Sequence, residues 1–313
     1  MSAETVDAIL SEAGVESRGL EHVHTDSNQV WLGNGFALRL HHVGPRGRLQ
    51  HEARVAARLP AAALYPRVIA TGWTAGHDWI VLERVAGKAL SVVWPRLSDD
   101  ERRSAIHQFA CALRAVHETS PDGLEPSFLF EGADFVPRPD LVAETLRAID
   151  GSELSAEVRS ALTERVSAWA PHTQDPAHSL IHGDLNFNNI LWDAGAITAL
   201  LDFEWARPET RDVDLLSFLA FCKDAELCVP DEVRVITAKE QYARAPYWLS
   251  EAYPELFAHP HVRERVGLYA IERWALGLNS PDPAYRRLAQ EQLAEIVEGA
   301  DASRFLVGDS QSR

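Results

Sequence analysis

The chain has 313 residues, 46% hydrophobic and 24% charged, which is the balance of a soluble globular protein and room for one large domain or two modest ones. No apolar run approaches the ~20 residues of a membrane helix, and the opening Met1-Ser-Ala-Glu-Thr-Val-Asp lacks the basic and apolar regions of a secretory leader. The net charge of -16 repels a phosphate backbone, so neither a membrane nor a nucleic-acid partner is expected. Residues 1–90 hold nine acids and nine bases, whereas residues 91–313 hold 37 acids and 21 bases. That excess serves solubility, and it also suits attraction of a small cation. Three scattered cysteines, Cys111, Cys222 and Cys228, form no disulfide or zinc framework and point to a reducing cytoplasm.

Up to about residue 90, short β-like runs dominate: His22–Thr25, Gln29–Leu32, Phe36–His41, Val68–Gly72 and Trp79–Glu83. Gly33-Asn34-Gly35 reads as a hairpin turn between the second and third. One helix interrupts them at about Leu49–Leu59, with Val55, Ala56 and Leu59 at helical spacing. After Val85-Ala86-Gly87 the pattern turns helical. Ser98 caps a long helix whose apolar stripe is Ile106, Phe109, Ala110, Leu113 and Val116. Further helices are expected at 139–149, 155–170, 213–222, 231–245, 261–277 and 284–299. The expected class is α+β: a small antiparallel-sheet lobe with one helix (1–86) and a larger, mainly helical lobe (87–313), with a cleft between them.

One β island, residues 180–203, lies within the helical part. Ile190–Trp192 and Ile197–Leu201 read as strands joined by the turn Asp193-Ala194-Gly195. A hairpin then sets Asn189, at the start of one strand, beside Asp202, at the end of the other. Their oxygens can share a hard cation such as Mg²⁺. Asp184 enters the hairpin near the same end. A carboxylate to take a proton and two oxygen donors for a metal are the parts phosphoryl transfer needs. His182-Gly183-Asp184 followed by Asn189 keeps the spacing of the kinase catalytic loop, and Asp202-Phe203-Glu204 stands where Asp-Phe-Gly would stand.

With these residues the chain resembles the aminoglycoside phosphotransferase and choline kinase superfamily, small-molecule relatives of the protein kinases. The resemblance implies a bilobal protein-kinase-like fold, with Asp184 as catalytic base and Asn189 and Asp202 as magnesium ligands. It implies support of the catalytic loop by Asp214 of Asp214-Leu215-Leu216, with Asp212 as the other candidate. His182 is expected to hold the loop backbone rather than to react.

The small lobe departs from the pattern. A cation is needed on its third strand to hold phosphates, and no lysine precedes Lys88. Arg39, alone in the apolar run Phe36–Leu40, fills that place, and Glu52 is its expected partner. The alternative is a purely structural ion pair. No glycine-rich loop covers the phosphates. Ser27 and Asn28 stand where it should be, as donors to the nucleotide or as a plain turn. By resemblance, the backbone of Glu83 and Val85 holds the adenine edge.

The acceptor hydroxyl belongs against the helices after residue 212. Asp224, Glu226, Asp231 and Glu272, with Tyr242, Tyr247, Trp248 and Trp274, suit a cationic acceptor such as an aminoglycoside or an amino alcohol. The expected activity is therefore Mg²⁺-dependent O-phosphorylation of a small cationic molecule by ATP, with GTP as the other donor to consider. The competing reading is a nucleotide-binding pseudokinase with a regulatory role.

Overall fold

The computed structural model describes residues 3–24, 28–41, 47–125, 128–130, 133–134, 138–176, 178–299, 303 and 306. The first element, α1 (Ala3–Glu12), is absent from the expected set, although Val6, Ile9 and Leu10 recur at helical spacing. Five strands follow: β1 (Glu21–His24), β2 (Asn28–Leu32), β3 (Phe36–His41), β4 (Val68–Thr74) and β5 (His77–Glu83). They form one antiparallel sheet in the order β1-β2-β3-β5-β4. Each expected run has its strand, with Thr25 outside the described residues, and Asn28 belongs to β2 rather than to the turn before it.

The alternation of β3 decides what each face of this sheet does. Leu38 and Leu40 point toward α1 and pack with Val6, Ile9, Leu10, Trp79 and Val81. Arg39 must point to the opposite face. That face is covered by α2 (Arg48–Ala56), whose Leu49 packs on Ile80 and Leu82. The Leu49 N–H at the start of α2 donates to Asp78 Oδ2 at 2.9 Å, so β5 fixes where the helix begins.

The chain then crosses through the short β6 (Lys88–Ala89) and α3 (Leu90–Val93). Next comes α4 (Asp99–His117), opened by a reciprocal cap in which Ser98 and Glu101 satisfy each other's backbone N–H. A small pair, β7 (Phe128–Phe130) and β8 (Ala133–Asp134), precedes α5 (Arg138–Asp150) and α6 (Ala156–Trp169). The β island consists of β9 (Ser179–Ile181), β10 (Ile190–Asp193) and β11 (Ala196–Leu200), with β12 (Arg207–Glu209) pairing back on β9. Ala194 and Gly195 both take positive φ, 46° and 90°, which makes the tight β10–β11 turn. Strand β6 pairs with β10, so the crossover segment is strapped to the island.

The remaining helices are α7 (Leu215–Lys223), α8 (Ala225–Cys228), α9 (Asp231–Arg234), α10 (Ala245–Ala252), α11 (Val262–Gly277) and α12 (Pro283–Glu298). The helix expected over 231–245 does not form as one unit. It breaks after Arg234, and Val235 and Ile236 lie in the open, 90% and 42% exposed. The Thr237 hydroxyl bonds back to the Val233 carbonyl, Gln241 caps the Ala238 N–H, and a new helix begins around Pro246. A stripe of apolar residues predicts a helix only when something covers it: Val233 and Tyr242 are buried in the core, but nothing among the described residues covers Val235 and Ile236 between them.

The helical part closes on a core in which Trp94, Phe187, Phe218, Phe221 and Tyr242 pack face to face or edge to face at centroid distances of 4.8–5.6 Å. Phe187 lies between Asp184 and Asn189, so this core supports the loop that carries both.

The packing of α1 under the sheet is testable. Ile9→Ala removes a fully buried side chain and should destabilise the protein by about 2–5 kcal/mol. Urea unfolding checks this.

Candidate active site

The segment after β9 runs His182-Gly183-Asp184. Gly183 sits at φ +85°, and a Cβ there would collide with the Trp205 carbonyl, 2.8 Å from its carbon. No larger residue fits, which is the local reason for glycine between the histidine and the aspartate. The His182 and Gly183 N–H groups each donate to the Asp214 carboxylate at 2.8 Å, to Oδ2 and Oδ1 respectively. Asp212 is not the anchor: Arg265 holds it with Nε at 2.5 Å and Nη2 at 2.9 Å. Burial alone would raise Asp214. The bond from His117, the His117 and His182 rings and the Gly183 N–H outweigh it and hold the carboxyl below its ordinary range.

The His182 ring donates from Nε2 to the Leu201 carbonyl at 2.8 Å and accepts the Asp184 N–H at Nδ1. It thereby ties the loop to the residue before Asp202. Asp184 is half-buried. Its Oδ2 accepts from the side-chain amides of Asn186 and Asn189, both at 3.3 Å, and Oδ1 takes part in neither bond. Asn189 Nδ2 also donates to the Asp184 carbonyl at 2.9 Å. With Nδ2 committed to Asp184, Asn189 keeps Oδ1, a hydrogen-bond acceptor with lone pairs that a metal can also take. The β10–β11 hairpin closes with the Leu201 N–H on the Asn189 carbonyl, which sets Asn189 and Asp202 at the same end, as the spacing requires.

Asp202 takes φ +68°, a left-handed conformation outside glycine. Its Oδ1 accepts Arg39 Nη2 at 2.6 Å. Arg39 Nη1 donates to both oxygens of Glu52, at 2.7 and 2.9 Å. Tyr65 O–H and the Phe203 N–H also donate to Glu52. Glu204 lies 3.7 Å from Arg39 and pairs closely with Arg48, whose guanidinium stacks 4.2 Å from the Trp205 ring. Burial works against charge on Arg39, but Asp202, Glu52 and Glu204 together raise its pKa well above the ordinary value. Burial and the nearby Asp202 push Glu204 up to about 8, against the pull of Arg39 and Arg48. Glu52, Asp202 and Glu204 offer oxygens within 4.8 Å of one another. An all-oxygen set of carboxylates is the chemistry a hard divalent cation takes.

The other expected contacts fall unevenly. Ser27 lies outside the described residues. The Asn28 side chain is buried against His41 at 3.3 Å, not presented from a turn. The Glu83 N–H is taken by the Arg67 carbonyl at 2.8 Å, so that donor is not open to a ligand. Gly87, at φ +132°, carries the chain past Val85 into β6.

The four acids expected to meet an acceptor are not gathered into one cluster. Asp224 pairs with Lys223 at 3.3 Å, Asp231 is 87% exposed and pairs with Arg234, and Glu226 accepts the Lys239 N–H. Glu272 is buried on α11. Tyr242 and Trp248 belong to the core, whereas Tyr247 is exposed. Burial, then Asp224 and Asp184, push the Cys228 thiol up to about 11, and the Cys228 carbonyl accepts from Asn188 at 3.0 Å. Sequence reasoning missed Arg48, Tyr65, Asn186 and His117. Only Asn186, two residues from Asp184, left a local signal.

Gly183→Ala should cost on the order of 3 kcal/mol or more, from left-handed strain together with the carbonyl clash. Thermal unfolding reads that loss, and activity should fall with it.

Residues 21–253 match the model of a phosphotransferase enzyme family. An aminoglycoside 3'-phosphotransferase of Streptomyces ribosidificus is 26% identical over 220 residues, 66% of this chain and 72% of that enzyme. Among solved structures, a thermostable mutant of the aminoglycoside phosphotransferase APH(4)-Ia, in complex with AMP-PNP and hygromycin B, superposes with a TM-score of 0.65. Its identity is 17%, over 94% of this chain and 98% of that one. A choline/ethanolamine kinase family protein of Mesorhizobium loti superposes with a TM-score of 0.60 at 20% identity, over 96% of this chain and 98% of that one.

Proposed function

This chain belongs to the phosphotransferase enzyme family and transfers a phosphoryl group to a hydroxyl of a small molecule; from that premise we propose ATP as donor, Mg²⁺ as cofactor and a cationic amino alcohol or amino sugar as acceptor. The observation that carries this reading is the convergence on one hairpin end of Asp184, Asn189 and Asp202, with Arg39 reaching Asp202 from the opposite sheet. Residues 1–86 would hold the nucleotide, and residues 87–313 the catalytic loop, the metal ligands and the acceptor.

Asp184 Oδ1 would take the proton from the attacking hydroxyl while Asn186 and Asn189 hold Oδ2, so the base is oriented before the acceptor arrives. Asn189 Oδ1 and Asp202 would hold magnesium, which when bound neutralises charge on the phosphates. Arg39, fixed through Nη1 by Glu52, would turn Nη2 to phosphate oxygens. Its two-armed fork allows this while keeping the ion pair. The Glu83 carbonyl and the Val85 backbone would hold the adenine edge. For the acceptor, the excess of acids over bases in residues 91–313 supports a cation, and Asp224, whose charge is felt at Cys228 together with that of Asp184, would meet it. Three free cysteines suit a cytoplasmic location, and among the described residues no helix is long and apolar enough to cross a membrane.

Nucleotide consumption should be followed with ATP or GTP and Mg²⁺ against hygromycin B, gentamicin, streptomycin, choline and ethanolamine. Acceptor-dependent turnover is expected. Asp184→Ala should lower it roughly 10²–10⁴-fold with nucleotide binding kept, the range for losing a general base. Asp202→Ala should abolish the magnesium dependence of nucleotide binding. Tight nucleotide binding without turnover on any acceptor would favour the pseudokinase reading instead.

Arg39→Ala should raise the KM for ATP about 10- to 100-fold, from about 1.5–3 kcal/mol for a charged hydrogen bond. An unchanged KM would leave Arg39 and Glu52 as a structural pair.

A further inference from the structure

Arg273, on α11, is half-buried and lacks a counter-charge. Its Nη1 donates to the Ser217 hydroxyl at 3.1 Å, and its guanidinium lies 5.6 Å from the Trp274 ring. No carboxylate of the described residues pairs with it. Other guanidiniums taken out of water in this chain are matched: Arg39 meets Glu52 and Asp202, Arg48 meets Glu204, and Arg265 meets Asp212 and Asp175. With one hydroxyl for a partner, Arg273 keeps most of its N–H donors for a ligand, and their planar fork fits a carboxylate.

The position of this arginine gives the ligand a role. Ser217 lies in the first turn of α7, three residues after Asp214, which holds the His182-Gly183-Asp184 loop by its amides. Asp224 caps the other end of α7. Seven residues separate Ser217 from Asp224, about two turns, so both fall on one face of the helix. Asn188, between Asp184 and Asn189, donates to the Cys228 carbonyl at 3.0 Å and joins α8 to that loop. Burial and Asp224 raise the Cys228 thiol, Arg273 pulls it down and Asp184 raises it again, so all three charges are felt at one sulfur. Leu227, beside it, is 77% exposed, so this wall meets solvent.

We propose that Arg273 is an anion subsite of the acceptor site, and that the acceptor is a hydroxylated molecule carrying a carboxylate at one end and an ammonium at the other. The inference rests on the reading of Asp184 as base and of Asp224 as the acid that meets the ammonium, and it adds the carboxylate. The two charges of the protein are set apart along α7. They therefore select an amino hydroxy acid whose amine and acid sit on different carbons, not an α-amino acid. In a chain of net charge -16 the diffuse field favours cations, so an anion enters only where a particular arginine receives it.

The experiment uses the full chain, magnesium-ATP and two acceptors that differ in one group: γ-amino-β-hydroxybutyrate and its uncharged carboxamide. In the wild type, kcat/KM should be roughly 10- to 100-fold higher for the acid, the range for hydrogen bonds to a charged group. Arg273→Gln keeps an N–H donor for Ser217 but loses the charge. It should raise the KM for the acid by the same factor and erase the preference. Arg273→Lys keeps the charge, loses the fork and should recover part of the preference. Equal use of acid and amide by the wild type would overturn the proposal and leave phosphoryl transfer standing. So would a preference that survives in Arg273→Gln. A raised KM for ATP with the preference intact would give the arginine to the nucleotide phosphates and likewise overturn it. If neither acceptor is phosphorylated, calorimetric titration of the acid decides. Binding that is lost in Arg273→Gln sustains the anion subsite while phosphoryl transfer to this acceptor fails, and no binding to the wild type overturns the subsite. If Arg273→Gln does not fold, Arg273→Lys and Ser217→Ala are compared, and a full preference in both overturns the proposal. Turnover that persists in Asp184→Ala, with the preference still dependent on Arg273, would reject the base and leave the subsite standing.

Discussion

A guanidinium taken out of water has to bring its counter-charges with it, and Arg39 draws them from separate stretches of the chain. Its side chain is 11% exposed. Desolvating such an ion costs several kcal/mol, which only close carboxylates can offset. Glu52 comes from α2, and Asp202 and Glu204 come from the turn after β11. The sheet, the helix behind it and the hairpin that carries Asn189 and Asp202 therefore meet at one side chain. Glu204, 3.7 Å from Arg39, pairs with Arg48 at the start of α2, and Arg48 seals against Trp205. A lysine could hold one of these partners as a point charge. The arginine fork spans Glu52 with one arm and Asp202 with the other, which is a physical reason for arginine on this strand.

A second anchor lies on the far side of the hairpin. Asp214 holds the His182-Gly183-Asp184 loop by its backbone, and His182 links that loop to the carbonyl of Leu201. Asp184 is thus suspended between two fixed points, Asp214 behind it and the Asn189–Leu201 pairing beside it. Phosphoryl transfer asks little of a protein beyond positioning and charge, so rigidity at these points is a large part of what the fold contributes. The aromatic core beneath Phe187 supplies the stiffness, because close-packed rings leave the loop no room to settle differently.

Much of this arrangement is legible in the amino-acid sequence. The strands stand out because one face of the sheet is apolar and the period is two. Arg39 is conspicuous because a charge in an apolar strand needs a partner, and Glu52 stands near the head of the helix that follows. Asp184, Asn189 and Asp202 can be picked out because a hairpin turns sequence spacing into spatial spacing. A single helix over 231–245 is the wrong expectation because apolar composition does not say whether a face will be covered. The acceptor acids are overcounted for a related reason. Asp224 and Asp231 each pair with a basic residue one or three positions away, and such local pairs give a helix face its usual solvated character.

The amino-acid sequence by itself determined the local elements, the glycine and turn residues that shape them, and the trio on the hairpin, because those depend on neighbours a few residues apart. Only the tertiary structure decided that Asp214 rather than Asp212 holds the loop, that Arg39 reaches Asp202, that Glu204 pairs with Arg48, and that His117 stands behind Asp214. The last three pairs join residues 97 to 163 positions apart in the chain. Their meeting depends on how the elements of the two lobes pack, and no local pattern encodes a distance that only packing creates.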